Sequence, residues 1–289
     1  MDAPLASSGR GMIKNAMTID VEDYFQVSAF APTIPRNQWD NLPCRVERNV
    51  MRIFDLLDTH SAKATFFTLG WVAERYPQLV REIVGRGHEL ASHGYGHLRA
   101  TDQTETDFRT DVTHAKKLLE DLSGVAVSGY RAPSFSIGAR NLWAFDVLND
   151  AGYQYSSSVY PIKHDHYGMP EAPRFAFKPS HHDLLELPAT TLNMMGRNLP
   201  ASGGGYFRLL PYSVSAWMMR RVNEHDGKAC IFYFHPWEID PDQPRQRGIG
   251  MKTRFRHYVN LSRMEGRIAH LLKDFQWDRM DRIFLNQPV

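Results

Sequence analysis

The segment His93-Gly94-Tyr95-Gly96-His97 places two imidazoles four residues apart, with glycines that let the backbone bend between them. Two ring nitrogens and one carboxylate are a common ligand set for a catalytic zinc, with a coordination position left for water. A His-x-x-x-His pair alone is equally well explained as a hydrogen-bonded polar loop. Glycine costs roughly 1 kcal/mol at an interior helical position, which favours a turn wrapped around an ion over a helix here. Three other segments supply what such a site needs. Asp20-Val21-Glu22-Asp23 gathers three carboxylates that repel one another unless a cation or an arginine is near. Either Glu22 or Asp23 could be the third ligand, while another acid serves as general base toward the attacking water. Arg131-Ala132-Pro133 offers a guanidinium that could orient a carboxylate. His235 ends the apolar run Ile231-Phe232-Tyr233-Phe234 and precedes Pro236, as a buried, satisfied histidine or a proton donor.

The elements that must position these residues follow from periodicity. Short apolar or β-branched runs at 15–20, 64–69, 88–92, 127–130, 153–156, 184–187 and 229–234 predict strands. Amphipathic spacing predicts helices over 46–59, 73–86, 105–122, 139–150, 212–224 and 255–275. Gly87, Gly124 and Gly152 stand where helix ends favour glycine. Strand–helix alternation of this kind predicts a parallel sheet. Asp20, His93, Arg131 and His235 each fall at or just after the C-terminal end of a predicted strand, the edge where parallel α/β folds build their sites. Residues 161–211 break the rhythm with Pro, Gly, His and Ser, and predict long loops and short strands over one face. Tyr160, Tyr167 and Tyr206 are candidates there for stacking on a ligand ring.

Bulk composition narrows the class. The chain has 289 residues, 43% hydrophobic and 23% charged, which is globular and sufficient for one α/β barrel. A formal net charge of +2 implies no nucleic-acid partner. No run approaches the roughly 20 apolar residues of a membrane span. Two cysteines, Cys44 and Cys230, do not make a disulfide framework, and Cys230 lies in an apolar run that predicts a buried thiol. Residues 1–14 read as a flexible tail without the apolar stretch of a signal peptide, so the expected location is cytoplasmic. A position at the membrane face stays open.

Together these segments resemble the NodB-homology polysaccharide deacetylases (carbohydrate esterase family 4). The nearest resemblance is to the subgroup linked to bacterial exopolysaccharide and exosortase loci, with allantoinase-like and peptidoglycan-deacetylase-like relatives. It spans residues 15–275. Thr18-Ile19-Asp20-Val21-Glu22-Asp23 is similar to the family's first motif, Ser92-His93-Gly94-Tyr95-Gly96-His97 to the second, Tyr130-Arg131-Ala132-Pro133 to the third and Phe234-His235-Pro236 to the fifth. Gly203-Gly204-Gly205-Tyr206-Phe207-Arg208 and His235-Pro236-Trp237-Glu238 resemble subgroup signatures. The family's adjacent aspartates followed by glycine are replaced by Asp20-Val21-Glu22-Asp23-Tyr24, and Leu185-Glu186-Leu187-Pro188 is the nearest candidate for a fourth motif.

The resemblance implies a distorted (β/α) barrel of about seven parallel strands. Residues 15–289 would form one catalytic domain with a subgroup-specific C-terminal extension. It implies a divalent metal, zinc first, and a hydrolase that removes acetyl from N-acetylhexosamine units of a polysaccharide or oligosaccharide. Asp20 would be the general base, Arg131 its orienting partner and His235 the proton donor. His93 and His97 would bind metal with Glu22 or Asp23. A cyclic imide or ureide substrate, a non-catalytic glycan-binding role and a homo-oligomer stay open.

Overall fold

The structure, a computed structural model, describes residues 13–164, 168–179 and 183–285. The expected tail falls almost wholly outside the described residues, as does Tyr167.

Strands β1 (Lys14–Val21), β2 (Thr65–Thr68), β3 (Glu89–Ser92), β4 (Gly129–Tyr130), β5 (Tyr155–Ser156) and β6 (Leu185–Glu186) pair in sequence order, all parallel. The antiparallel hairpin of β7 (Thr191–Met194) and β8 (Arg197–Pro200) follows. β9 (Ile231–Phe234) then returns to pair with β1, giving seven parallel strands in a curled sheet. No ladder joins β6 to β9 among the described residues. At that seam the Thr190 hydroxyl accepts from the Ile231 amide at 2.7 Å. The fold is therefore the expected distorted, incompletely closed (β/α) barrel. A short β10 (Gln276–Asp278) pairs with the first residues of β1.

Period-two alternation sorts the strand side chains. Ala16, Phe67, Ala91, Tyr155, Leu185, Leu187 and Ile231 form one buried cluster inside the curl. Met17, Ile19, Val21, Phe66, Leu90, Phe232 and Phe234 face the helices in the larger core. Met280 and Ile283 join the inner cluster, so the C-terminal segment plugs the end where the strands begin.

The helices are α1 (Val46–Thr59), α2 (Gly70–Arg75), α3 (Pro77–Gly85), α4 (Glu105–Ser123), α5 (Trp143–Asp150), α6 (Gly204–Leu209), α7 (Tyr212–Arg221), α8 (Met251–Tyr258) and α9 (Leu261–Asp274). Two expected helices are each split. The 73–86 helix breaks at Tyr76, because the following Pro77 disfavours helical backbone in the residue before it. The 255–275 helix breaks at Val259 and at Asn260, whose φ of 52° is left-handed. Both cysteines are free, and Cys230 is buried.

Register aligns the rim. Val21 pairs with Thr68, Thr68 with Ser92, Ser92 with Tyr130 and Tyr130 with Ser156. The next residues, Glu22, Leu69, His93, Arg131 and Ser157, therefore leave the sheet side by side. On the other side of β1, Ile19 pairs with Phe234, which sets His235 beside Asp20.

Candidate metal-dependent active site

The His93–His97 segment is a turn, with Gly94 at φ 72° and His97 itself left-handed at φ 56°. An α4 carboxylate holds it: Asp111 accepts from the Tyr95 amide at 3.2 and 3.3 Å. Gly94 is required twice over. Its φ is costly for other residues, and a Cβ there would stand 2.7 Å from Asp111 Oδ2.

Glu22, His93 and His97 each offer one ligand atom, all within 4.8 Å of one another. His93 Nδ1 lies 2.8 Å from the Arg131 carbonyl, to which it must donate, so its Nε2 lone pair is left for the site. Metal-binding histidines are commonly fixed this way. Burial lowers the His93 pKa to about 4, which keeps the ring neutral, the form a ligand needs. Glu22 Oε1 accepts from Trp237 Nε1 at 3.1 Å. Its Oε2 stands 2.6 Å from His97 Nε2 yet accepts no hydrogen bond of acceptable geometry, although it is buried. Burial alone would raise the Glu22 pKa. His97, His235 and His93 outweigh it and hold the carboxyl well below the usual range. A buried anionic oxygen without a donor, facing imidazole nitrogens, is the donor set a divalent cation fits.

Asp23 lies outside this trio. Its Oδ2 accepts from the Arg45 and Val46 amides at 2.5 and 2.8 Å, and Oδ1 from the Tyr24 amide at 2.8 Å. It serves the free N–H groups at the start of α1. Burial raises its pKa to about 6 against those bonds.

Asp20 and Arg131 form a buried pair, Nη1 to Oδ1 at 2.6 Å. The guanidinium also donates to Thr18 Oγ1, the Ser157 carbonyl and Ser157 Oγ, and lies 4.1 Å from the Phe67 ring centre. It fixes Asp20 so that Oδ2 faces His235 Nε2 at 3.8 Å. His235 Nε2 is also 3.6 Å from Glu22 Oε1, and its Nδ1 meets Glu238 Oε1 at 2.7 Å. Burial would lower the His235 pKa, but Glu22, Glu238 and Asp20 prevail and raise it to about 9.

The structure thus brings together Asp20, Glu22, His93, His97, Arg131 and His235. Glu186, from the fourth-motif candidate, is fully buried in β6 and accepts from the Ser158 and Val159 amides instead. Tyr160 is fully buried against Phe135 and Tyr233, so its ring is not presented for stacking, whereas Tyr206 on α6 is half-buried. Trp237, Glu238 and Arg208 reach the site's supports without any local spacing that links them. The two glycine- and tryptophan-containing signatures were the signal that could have found them.

Residues 38–156 match the polysaccharide deacetylase family, and residues 157–285 match a domain of unknown function (DUF3473). The first motif lies upstream of both, but β1 is hydrogen-bonded between β2 of one matched segment and β9 of the other, so a single sheet unites them. A peptidoglycan-N-acetylglucosamine deacetylase of Bacillus cereus is 35% identical over 94 residues, which are 32% of this chain and 34% of that protein. The chain therefore spans about a third of that relative's length. A Mycobacterium smegmatis structure described as a polysaccharide deacetylase superposes with TM-score 0.62 at 21% identity, covering 98% of this chain and 92% of that one. An allantoinase structure gives TM-score 0.60 at 15% identity, covering 96% and 90%. At such identities these two likenesses show the fold alone. Residues 38–156 thus match a polysaccharide deacetylase domain, of the type the NodB-like (carbohydrate esterase family 4) motifs suggest, continued on the same sheet by a domain of unknown function.

Proposed function

We propose that this chain is a metal-dependent hydrolase that removes N-acetyl groups from N-acetylhexosamine units of a bacterial polysaccharide or its precursor. The observation that carries the reading is the convergence of Glu22, His93 and His97 on one point, flanked by Asp20 and His235. The family match and the glycan named for the Bacillus relative support the substrate class. Glu22, His93 and His97 would hold the ion; two imidazoles and one carboxylate suit zinc. When bound, the ion supplies Lewis-acid polarisation of the acetyl carbonyl and lowers the pKa of water.

The chain's own residues do the rest. Asp20 Oδ2 takes a proton from water as its oxygen attacks the acetyl carbon. Arg131 occupies Oδ1 and keeps Oδ2 aimed into the site. The carbon–nitrogen bond then breaks, and His235 Nε2 gives its proton to the departing amine. The carboxylates of Glu238 and Asp20 beside it favour the protonated ring that this step needs.

Asp20→Asn tests the assignment. Release of acetate from N-acetylated chito-oligosaccharides or peptidoglycan fragments is expected to fall by roughly 10²–10⁴-fold, with bound metal retained. Wild-type acetate release in that variant would refute the role. Turnover of a cyclic ureide by protein that leaves acetylated glycans intact would replace the substrate.

A further inference from the structure

The buried acid behind His235 comes from an unexpected place. Glu238 lies three residues after His235 on a short 3-10 turn, Pro236–Ile239. Its Oε1 meets His235 Nδ1 at 2.7 Å and accepts from the His235 amide at 3.1 Å. Its Oε2 accepts from Arg208 Nε at 2.6 Å. Arg208 is itself buried, and its remaining nitrogens donate to the carbonyls of His257, Val259 and Arg256 at 2.8, 2.9 and 3.1 Å. Every polar atom of this chain of contacts is engaged, which fixes a single geometry.

A glycine makes room for it. A Cβ on Gly204 would stand 1.9 Å from Glu238 Oε1 and 2.2 Å from Oε2. A Cβ on the adjacent Gly205 would meet nothing within 4 Å. Both lie in α6, where alanine is the better helix former, so only the approach of the carboxylate explains glycine at 204.

We infer that Glu238 is the positioning residue of the proton-donating histidine: it binds the Nδ1 proton of His235, directs Nε2 into the site, and is itself clamped by Arg208 in space that Gly204 leaves open. The inference rests on the role given to His235 above. It assigns a task to both signatures, Gly203–Arg208 and His235–Glu238, which meet here across 30 positions of sequence. A carboxylate behind an imidazole selects the tautomer and ring orientation that its far nitrogen presents.

Two kinds of readout test it. Glu238→Gln is expected to lower kcat by roughly 100-fold, with KM and bound zinc unchanged. In a His235→Ala background the same change should have no further effect on kcat. An independent loss on top of His235→Ala would overturn the assignment, as would wild-type kcat in Glu238→Gln. Gly204→Ala should lower kcat in the same way, while Gly205→Ala leaves it unchanged; equal behaviour of the two would remove the glycine from the scheme. If Glu238→Gln fails to fold because the Arg208 charge is stranded, Arg208→Met with Glu238→Gln removes both charges together and carries the same test. The side-chain ¹⁵N–¹H signals of His235 decide the contact without any substrate. The Nδ1 proton is expected downfield and slow to exchange in the wild type, and shifted upfield in Glu238→Gln. An unchanged His235 spectrum would sink the proposal even if deacetylation is confirmed. A changed spectrum in a protein that deacetylates no glycan would uphold the contact and refute the proposed function instead.

Discussion

Strand β3 has a buried acid at one end and a buried imidazole at the other, and the two ends of the barrel treat them in opposite ways. At the start of β3, Glu89 accepts from Thr65 Oγ1 at 2.5 Å and the Asp281 amide at 3.1 Å on Oε2, and from Tyr155 Oη at 2.8 Å on Oε1. Each donor belongs to a different element, and together they seat the C-terminal plug. Just past the end of β3, His93 faces Glu22, whose Oε2 is also buried and meets only His97 Nε2, at 2.6 Å and outside good hydrogen-bond geometry. Between these two acids, burial does not separate structure from function; satisfaction does. A buried carboxylate with a full set of donors holds the fold together. One that lacks such donors and faces imidazole nitrogens instead suits the proposed cation.

The largest effect should come from exchanging the two acids' fates. Glu22→Gln is expected to weaken zinc binding by at least roughly 100-fold, since losing even an outer-sphere partner commonly costs 10–100-fold. Glu89→Ala is expected to leave zinc stoichiometry intact and to cost roughly 2–4 kcal/mol of stability, because Tyr155 Oη and the Asp281 amide lose their acceptor inside the barrel. Zinc titration and chemical denaturation of both variants make a two-by-two comparison. Zinc lost from Glu89→Ala, or retained at wild-type affinity by Glu22→Gln, would break the distinction.

This contrast also explains what the sequence shows and what it hides. The rim is legible because parallel register turns strand ends into neighbours: once Asp20, His93, Arg131 and His235 are each placed at a strand end, their convergence follows. The choice between Glu22 and Asp23 is not local. It depends on the start of α1, whose free amides at Arg45 and Val46 draw Asp23 away. The split helices show two degrees of legibility. Pro77 is a readable stop, whereas the left-handed Asn260 is held by the hydrogen bond its side-chain Nδ2 donates to the Arg208 carbonyl at 2.8 Å, a contact 52 residues distant. Glu238 and Arg208 share that limit, since their pairing exists only once β9 has returned to pair with β1.

A smaller effect appears in the pH dependence of stability. Burial, reinforced by the Asp281 charge, raises the Glu89 pKa to about 7 from an ordinary 4.5. The folded protein then binds the Glu89 proton more tightly than the unfolded chain does. Its contribution is complete below pH 4.5 and is lost as pH rises toward 7. Glu89→Gln cannot titrate, so the stability difference between wild type and variant should shrink with rising pH across that window. His88 works in the other direction: burial lowers its pKa to about 4, and its contribution, present above 6.5, is lost as pH falls. Denaturation midpoints of the wild type and Glu89→Gln between pH 4.5 and 7.5 check the sign. A difference that grows with pH would show that Glu89 is ionised throughout and that the donors around it dominate its desolvation.

The smallest effect probes the boundary between the two kinds of acid. Asp111 has a backbone donor, the Tyr95 N–H, shared between its two oxygens, and burial raises its pKa. By the rule of satisfaction it is structural, yet what it supports is the turn that carries both proposed histidine ligands. Asp111→Asn keeps one acceptor oxygen and nearly the same volume, but its amide nitrogen cannot accept from the Tyr95 N–H. The turn should loosen rather than collapse, because Gly70 and Trp71 still donate to the Gly94 and Tyr95 carbonyls at 2.9 and 2.8 Å. Zinc affinity is therefore expected to fall by no more than about 10-fold, with kcat unchanged once the site is saturated with zinc. A fall in kcat at saturating zinc would mean that the turn's shape, and not only its occupancy, sets the rate. Satisfaction would then mark groups that position chemistry as well as groups that hold the fold.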